Sequence, residues 1–508
     1  MHEARNRSND IWHDIVAFDE LSANEPRRIE IDGKPLVVLK EGGRIHALSA
    51  KCPHKGAPLE KGAVCDGTLV CPWHKAIFSV VDGRLMEPPA LDPLESFPVE
   101  VRDGRVLIQY RPKAIGPTSS EVRRMPSEAE SVVIVGAGAA GTTTAVSLRE
   151  FGFGGPIALI DPEKRAPYDR TALSKTVLAG KSEGNAPPAL LPADRMSEDR
   201  ITRITERVVA LDPETRSVTL SDSRVVMGRH LVLAPGAHPV RLPVEGAGLK
   251  GVHSLRTADD AQHILEGVSP DGHAVIVGGS FIALEAAAAL RQHGTRVSVV
   301  SRDKVPFCTA FGTRVGESLL RLHLDHGVAW HGGREVARIE QQAGALAVSL
   351  DDGRKLDADI VLIGVGVRPA TGFASALTEE DGGIDVDAAL QAKPGIYVAG
   401  DCARLEHAGR RSRIEHWRTA EVLGRRVART IMGQPISAAT VPWFWTQQFG
   451  KKIEYAGFHQ PFDHIVVDGD VDAFDFTARH YRDNRCVGIV SAGRPGVTAH
   501  VVGTGQLT

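Results

Sequence analysis

Cysteine is scarce in this chain, six in 508 residues, which is no disulfide framework for a protein of such length. An excess of one charge is missing as well. The 60 Lys and Arg stand against 63 Asp and Glu, a formal net charge of −3, so no basic nucleic-acid surface is expected. No window approaches the ~18 uninterrupted apolar residues of a membrane span. Met1 to Asp10 mixes charges of both signs and lacks the apolar core of a secretory signal. With 42% apolar and 24% charged residues, the chain is expected to be soluble and cytoplasmic, and its length suggests about three or four domains.

What is present is organised around Ser131-Val-Val-Ile-Val135-Gly136-Ala-Gly138-Ala-Ala-Gly141. Four apolar residues run into Gly-x-Gly-x-x-Gly, followed by an alanine- and threonine-rich helix candidate. Gly136 permits the tight turn, Gly138 admits a pyrophosphate, and Gly141 lets helix and strand pack closely, with the helix N-terminus facing the phosphates. The next strand candidate, Ile157 to Ile160, ends at Asp161, an acid placed to bond the ribose hydroxyls of an adenine dinucleotide.

Up to about Tyr110 the pattern is different: short alternating runs separated by turns. Arg28 to Ile31, Asp32-Gly33 and Leu36 to Leu39 form one hairpin pattern, and the turns at Asp82-Gly83 and Asp103-Gly104 mark two more. This reads as a small β-sandwich. Within it, Cys52-Pro-His54 and Cys71-Pro-Trp-His74 offer two thiolates and two imidazoles to one centre. Such a set suits structural zinc, although zinc sites more often pair Cys with Cys and His with His. Mixed pairs also suit a cluster in which thiolates hold one iron and imidazoles the other.

The two loops, Cys52-Pro-His54-Lys-Gly-Ala-Pro58-Leu and Cys71-Pro-Trp-His74, closely resemble those of Rieske [2Fe–2S] proteins. The resemblance implies that Cys52 and Cys71 ligate one iron and His54 and His74 the other. Respiratory-chain members carry an extra disulfide-forming cysteine in each loop; the matching positions here are Ala57 and Trp73. Their serine and tyrosine hydroxyls near the sulfurs correspond to Ala76 and Phe78. Fewer hydrogen bonds to sulfur imply a ferredoxin-type cluster near the low end of roughly −150 to +300 mV. Lys75 stands where glycine is usual, and Cys65 is expected to be a packed thiol. From Arg111 to Glu130 the composition is rich in Pro, Ser, Glu and Arg, a linker whose twenty residues reach about 25 Å, enough to let the head swing.

Beyond the first fingerprint, Ala274 to Val277 leads into Gly278-Gly279-Ser280 and Ala283-Leu-Glu285, then a second strand candidate, Arg296 to Val300, which ends in Ser301-Arg302. Two nested nucleotide units in this order resemble the FAD- and NAD(P)H-dependent pyridine nucleotide oxidoreductases. The nearest likeness is to the ferredoxin-reductase and apoptosis-inducing-factor-like branch, and with the head it is to fused Rieske-flavoproteins. The resemblance implies that Arg170 and Lys175 lie along the flavin. It gives Gly400 and Asp401 the ribityl and phosphate, and places Glu415, His416 and Trp417 by the ring. Gly278, Gly279, Ser301 and Arg302 would meet the nicotinamide nucleotide, and Lys175, paired with Glu285, would stabilise negative charge on reduced flavin. Singly, each has an ordinary alternative: Lys175 and Arg170 as solvated loop charges, Trp417 as a core aromatic, Glu285 as a helix-surface acid.

The implied architecture is multidomain, an all-β Rieske sandwich followed by an α/β flavoprotein with two dinucleotide-binding domains and a small α+β C-terminal domain. The boundaries expected are 1–112 for the Rieske domain, 113–129 for the linker, and 130–250 and 372–434 for the FAD-binding parts. The NAD(P)H-binding domain is expected over 251–371 and a C-terminal interface domain, which leaves a homodimer open, over 435–508. No cysteine occurs between Cys71 and Cys308, so the thiol nucleophile of the disulfide-reducing branches is missing. The expected reaction is electron transfer from NAD(P)H through FAD to the chain's own [2Fe–2S] cluster, then to an oxygenase or haem protein. A redox-sensing protein with slow turnover is the alternative. No Asp-x-x-His-x-x-x-x-His run supplies the iron triad of an oxygenase.

Overall fold

A computed structural model describes residues 11–113, 130–342, 344–407, 409–436 and 441–507. The head is all β. Arg105–Gln109 pairs with Trp12–Ala17 on one side and Val99–Arg102 on the other, and a second sheet joins Arg27–Ile31, Lys34–Glu41, Arg44–Ser49 and Ser96–Phe97. A third joins Ala63–Cys65, Thr68–Val70, Ile77–Ser79 and Leu85–Glu87. The expected hairpins are present, Ile29 pairing with Leu36 and Val101 with Val106. The central strand reads Leu-Val-Val-Leu without alternation because it is buried on both faces. Val37 and Leu39 pack with Cys52 and Cys71, whereas Leu36 and Val38 pack with Val106 and Phe97.

The first nucleotide unit is a six-stranded sheet in the order Ile201–Ile204, Ile157–Ile160, Val132–Val135, His230–Leu233, Ile396–Val398 and Gln391–Lys393. Its first five strands are parallel and the last is antiparallel. Gly136 turns the chain at φ +100°, where a Cβ would lie 2.1 Å from the Ala234 carbonyl oxygen; a Cβ on Gly141 would lie 1.8 Å from that of Gly136. The fingerprint therefore needs glycine at both places.

The second unit is a five-stranded parallel sheet of Val252–Ser254, Ile360–Ile363, His273–Val277, Arg296–Ser301 and Val328–Gly332. Its altered glycine pattern has a local explanation. Ser280 caps the helix Phe281–His293 by accepting from the Ala283 N–H at 3.3 Å. Ala283 fits because the residue facing it is Gly364, where a Cβ would come within 3.0 Å.

The C-terminal part is a five-stranded antiparallel sheet, Trp443–Gln448, Lys451–Gly457, Arg485–Ala492, Asp475–Arg482 and His464–Asp470, with the helix Pro495–Thr504. Of the connector expected over 113–129, only Lys113 falls within the described residues. The head meets the body directly. Val70 and Ile77 share one apolar cluster with Trp443, Ala456, Ile489 and Val501. Arg418 Nη2 donates to Glu87 Oε2 at 2.7 Å with both side chains buried, and Arg425 Nη2 donates to the Leu85 carbonyl at 2.8 Å. Burying two such aliphatic side chains contributes roughly 1.5–3 kcal/mol each, and breaking the Arg418–Glu87 pair would leave a buried charge uncompensated.

Candidate functional site

The two ligand loops of the head are built alike. The Cys52 N–H donates to the Ala57 carbonyl at 2.9 Å, and the Cys71 N–H to that of Ala76 at 2.8 Å. Four residues after each cysteine the chain passes through a left-handed residue, Gly56 at φ +72° and Lys75 at φ +62°. These turns bring the His54 and His74 rings to 4.9 Å between centroids and bury both thiols. The thiols share a hydrogen bond. It draws the Cys71 thiol down and, together with burial, pushes that of Cys52 up. Burial lowers His54 to about 4 and His74 to about 2, keeping both imidazoles neutral with a lone pair available.

His54 Nδ1 is buried without a partner. Two thiols and two neutral imidazoles in mixed Cys–His pairs give each iron of a two-iron cluster two protein ligands. The donor set thus fits the cluster better than a tetrahedral zinc site. Ala76 and Phe78 are fully buried and bring no hydroxyl to it. Cys65 is a buried thiol, 3.5 Å from His500 Nδ1.

Beside the loops lies a cavity of about 640 Å³ between the two nucleotide units and the C-terminal sheet. It gathers Gly138, Arg170, Lys175, Glu285, Gly400, Asp401, Glu415, His416 and Trp417 from distant parts of the chain. A single π-turn, Leu173–Val177, presents Lys175, a form that recurs at functional sites. Lys175 Nζ meets Glu285 Oε2 at 2.8 Å. Glu285 also accepts from Ser174 Oγ at 2.6 Å and from Thr446 Oγ1 at 2.8 Å. Three donors on one carboxylate satisfy a buried charge that would otherwise be costly. Arg170 is clamped by Glu163, by Tyr168 Oη at 3.0 Å and by the Arg256 carbonyl at 2.9 Å. It is a fixed charge at the cavity wall and not a solvated one.

Other expected residues take less direct positions. Asp161 is buried and accepts from the N–H groups of Ala137 and Glu163, each at 2.9 Å, so it braces the glycine turn. Asp401 Oδ2 lies 3.4 Å from Arg256 Nη2. His416 Nε2 is 3.0 Å from His459 Nε2, and burial holds His416 well below its usual value. Trp417 donates to Glu421 at 3.0 Å while packing on the flavin-unit core; it is both core aromatic and cavity wall. Ser301 lies beneath Gly279, whose added Cβ would come within 2.6 Å of Ser301 Oγ. Arg302 is exposed and paired with Glu335 at 3.1 Å. Gly278 turns at φ +124° against Gly364.

The strand Trp443–Gln448, similar in sequence to the segment that opens the third domain of the ferredoxin-reductase branch, supplies residues to which the sequence reading gave no site role. Its alternate side chains face opposite ways. Trp443 packs with the head's Val70 and Ile77, and Trp445 meets the His74 ring edge-on at 5.1 Å. On the other face Phe444 packs against the rings of Phe281, edge-on, and His416, and Thr446 reaches Glu285. Trp445 also lines the cavity, with Lys175 Nζ 5.7 Å from its ring. The string Trp-Phe-Trp-Thr-Gln-Gln carried this two-sidedness, but what lay on either side was not legible.

Comparison with known proteins assigns the class. Residues 11–98 match the Rieske [2Fe-2S] domain, 130–424 the pyridine nucleotide-disulphide oxidoreductases, and 443–502 the reductase C-terminal domain. The chain belongs to the pyridine nucleotide-disulphide oxidoreductase family. It is an oxidoreductase of the ferredoxin–NAD reductase kind that uses FAD and NAD(P)H and carries a Rieske [2Fe–2S] cluster. More particularly, it is 33% identical to apoptosis-inducing factor 3 of Mus musculus, over 94% of this chain and 81% of that one. Rhodocoxin reductase of Rhodococcus erythropolis is 36% identical over 72% of this chain and 87% of its own. The covalent putidaredoxin reductase–putidaredoxin complex superposes with a TM-score of 0.69 at 29% identity, covering 73% of this chain and 93% of the other. Among the described residues no helix is long and apolar enough to cross a membrane.

Proposed function

We propose that the protein carries electrons from NAD(P)H through its flavin site to its own Rieske head and on to a one-electron acceptor protein, an oxygenase or a haem protein. The observation that carries this reading is Trp445, which lines the cavity on one side and meets His74 on the other. FAD, when bound, supplies the conversion of a two-electron hydride into single electrons, and the cluster supplies a one-electron store. Per NAD(P)H, two electrons leave for the acceptor and one proton is released.

The chain's residues do the rest. Gly136, Gly138 and Gly141 admit the dinucleotide phosphates, with Asp161 bracing their turn. Gly400 and Asp401 line the cavity and would hold the flavin's ribityl and phosphate. Lys175 holds positive charge where reduced flavin is negative, its ammonium oriented by Glu285. Arg170, Glu415, His416 and Trp417 line the cavity and would lie about the flavin ring, with Phe444 and Trp445 on the wall beside them. Cys52, Cys71, His54 and His74 hold the cluster. The putidaredoxin reductase relative is seen in complex with a separate redoxin; here the redox head is part of the chain. Anaerobic mixing with NAD(P)H should bleach the flavin and then reduce the cluster at a rate independent of protein concentration. A cluster phase that accelerates with protein concentration would refute the internal route.

Nucleotide choice follows from the second unit. An acid ending its second strand would bond both ribose hydroxyls and repel a 2′-phosphate. Here that position is Ser301, followed by Arg302, whose exposed partner Glu335 contributes little to hold it. Arg302 is free to turn to a phosphate. The expected result is a modest NADPH preference or use of both nucleotides. Ser301→Glu should shift the kcat/KM ratio toward NADH about ten-fold, on the order of 1.4 kcal/mol. A wild type already favouring NADH ten-fold would remove Arg302 from the site.

A further inference from the structure

We infer that Lys75 is a positioning residue for electron transfer between flavin site and cluster: its ammonium, seated on Glu454, locks the second ligand loop in the register that sets His74 against Trp445. The inference rests on the internal electron route proposed above.

The two ligand loops make the comparison within one molecule. Gly56 and Lys75 occupy equivalent turns, their N–H groups donating back to the cysteine carbonyls at 2.8 and 3.2 Å. Both have positive φ, a conformation easy for glycine and strained for lysine. Open space surrounds the Cβ position of Gly56. Lys75, by contrast, is fully buried. Its Nζ has three acceptors, the Pro72 carbonyl at 2.6 Å, the Pro495 carbonyl at 3.1 Å and Glu454 Oε2 at 2.9 Å. An ammonium has three N–H bonds to give, so its hydrogen-bonding capacity is filled.

Two of those three acceptors belong to the C-terminal part, so an isolated head would keep the backbone strain and lose most of what compensates it. Glu454 is equally committed. Lys452 Nζ donates to its Oε1 at 2.6 Å, and Trp443 Nε1 and Thr498 Oγ1 donate to its Oε2. A buried ion pair satisfied this fully is hard to move by a partial slip, because every intermediate position leaves a charge unpaired.

The register argument is geometric. His74 and Lys75 are consecutive, and Trp445 and Glu454 are direct cross-strand partners whose side chains share a face. Seating Lys75 on Glu454 therefore sets His74 on Trp445. Lys452 adds a second tie from the same face, donating to the Trp73 carbonyl at 2.7 Å.

The test uses the full-length holoprotein carrying Lys75→Gly, a residue that adopts φ +62° without strain, so the loop should keep its cluster. We expect the Rieske EPR signal and the rate of flavin reduction by NAD(P)H to be retained. Cluster reduction should slow at least ten-fold, and hydrogen-exchange protection over residues 443–456 and 495–502 should fall at least ten-fold. Glu454→Gln, which preserves shape but leaves the ammonium without a counter-charge, should give the same split. Unchanged cluster reduction and unchanged protection in both variants would overturn the latch. If the wild type itself bleaches its flavin without reducing its cluster, the electron route fails instead, and the exchange data alone then decide the latch.

Discussion

His54→Ala should abolish the low-average-g EPR signal of the reduced cluster completely while FAD content stays at the wild-type level. The expectation follows from the separation of the two sites. His54 belongs to the head, where its Nδ1 is buried without a partner and its ring faces His74. The nucleotide turn at Gly136 to Gly141 is built from the first six-stranded sheet and the helix behind it. Removing one imidazole strips an iron of half its protein ligands; it leaves the head's core of Val37, Leu39, Leu69 and Phe78 untouched. Wild-type protein prepared without oxygen should contain iron and be brown-yellow. A retained signal in the variant, or zinc as the sole metal in wild type, would remove these residues as cluster ligands.

Lys175→Met is expected to slow flavin reduction by NAD(P)H about 10²-fold, the scale of losing one preorganised charge from a reacting site. It should also lower the flavin midpoint potential by about 30 mV or more, since ~1.4 kcal/mol corresponds to about 30 mV for a two-electron couple. The sign is set by charge. Reduced flavin is negative, and the variant both removes a cation and leaves Glu285 with only the hydroxyl donors Ser174 and Thr446. Glu285→Gln should move the potential upward, because it removes the anion and leaves the ammonium. Opposite shifts at constant FAD content identify electrostatics; shifts of the same sign would show that both substitutions merely loosen the cavity. Spectroelectrochemical titration of the flavin band measures both.

Much of this was legible because it is written in short strings. Gly136 and Gly141 are required by backbone approaches of about 2 Å, and a local steric demand leaves a local sequence mark. The paired Cys-Pro-His54 and Cys-Pro-Trp-His74 loops are equally local, each closing on itself through its own backbone bonds. Glu285 was expected beside Lys175 through the family resemblance; its own stretch of sequence offers only a helix acid, because its bonds to Ser174, Lys175 and Thr446 join residues more than a hundred positions away. Asp161 was expected at a ribose; that its carboxylate also accepts from Ala137 and Glu163 and braces the turn is something the identity of an acid does not encode.

From the sequence alone came the class, the cofactors and the order of the domains, since each depends on turns, caps and ligand spacings within a dozen residues. The relation between head and body depended on the tertiary structure. A connector rich in Pro, Ser and Glu suggests freedom, because composition reports what a segment does when nothing holds its ends. The docked head is held by groups outside that connector: Val70 and Ile77 against Trp443, Arg418 on Glu87, and Lys75 on Glu454. In sequence Lys75 was a departure from the usual glycine. It acquires a reason only where a strand from the far end of the chain places Glu454 beside Trp445, because a buried charge is tolerable only beside its partner.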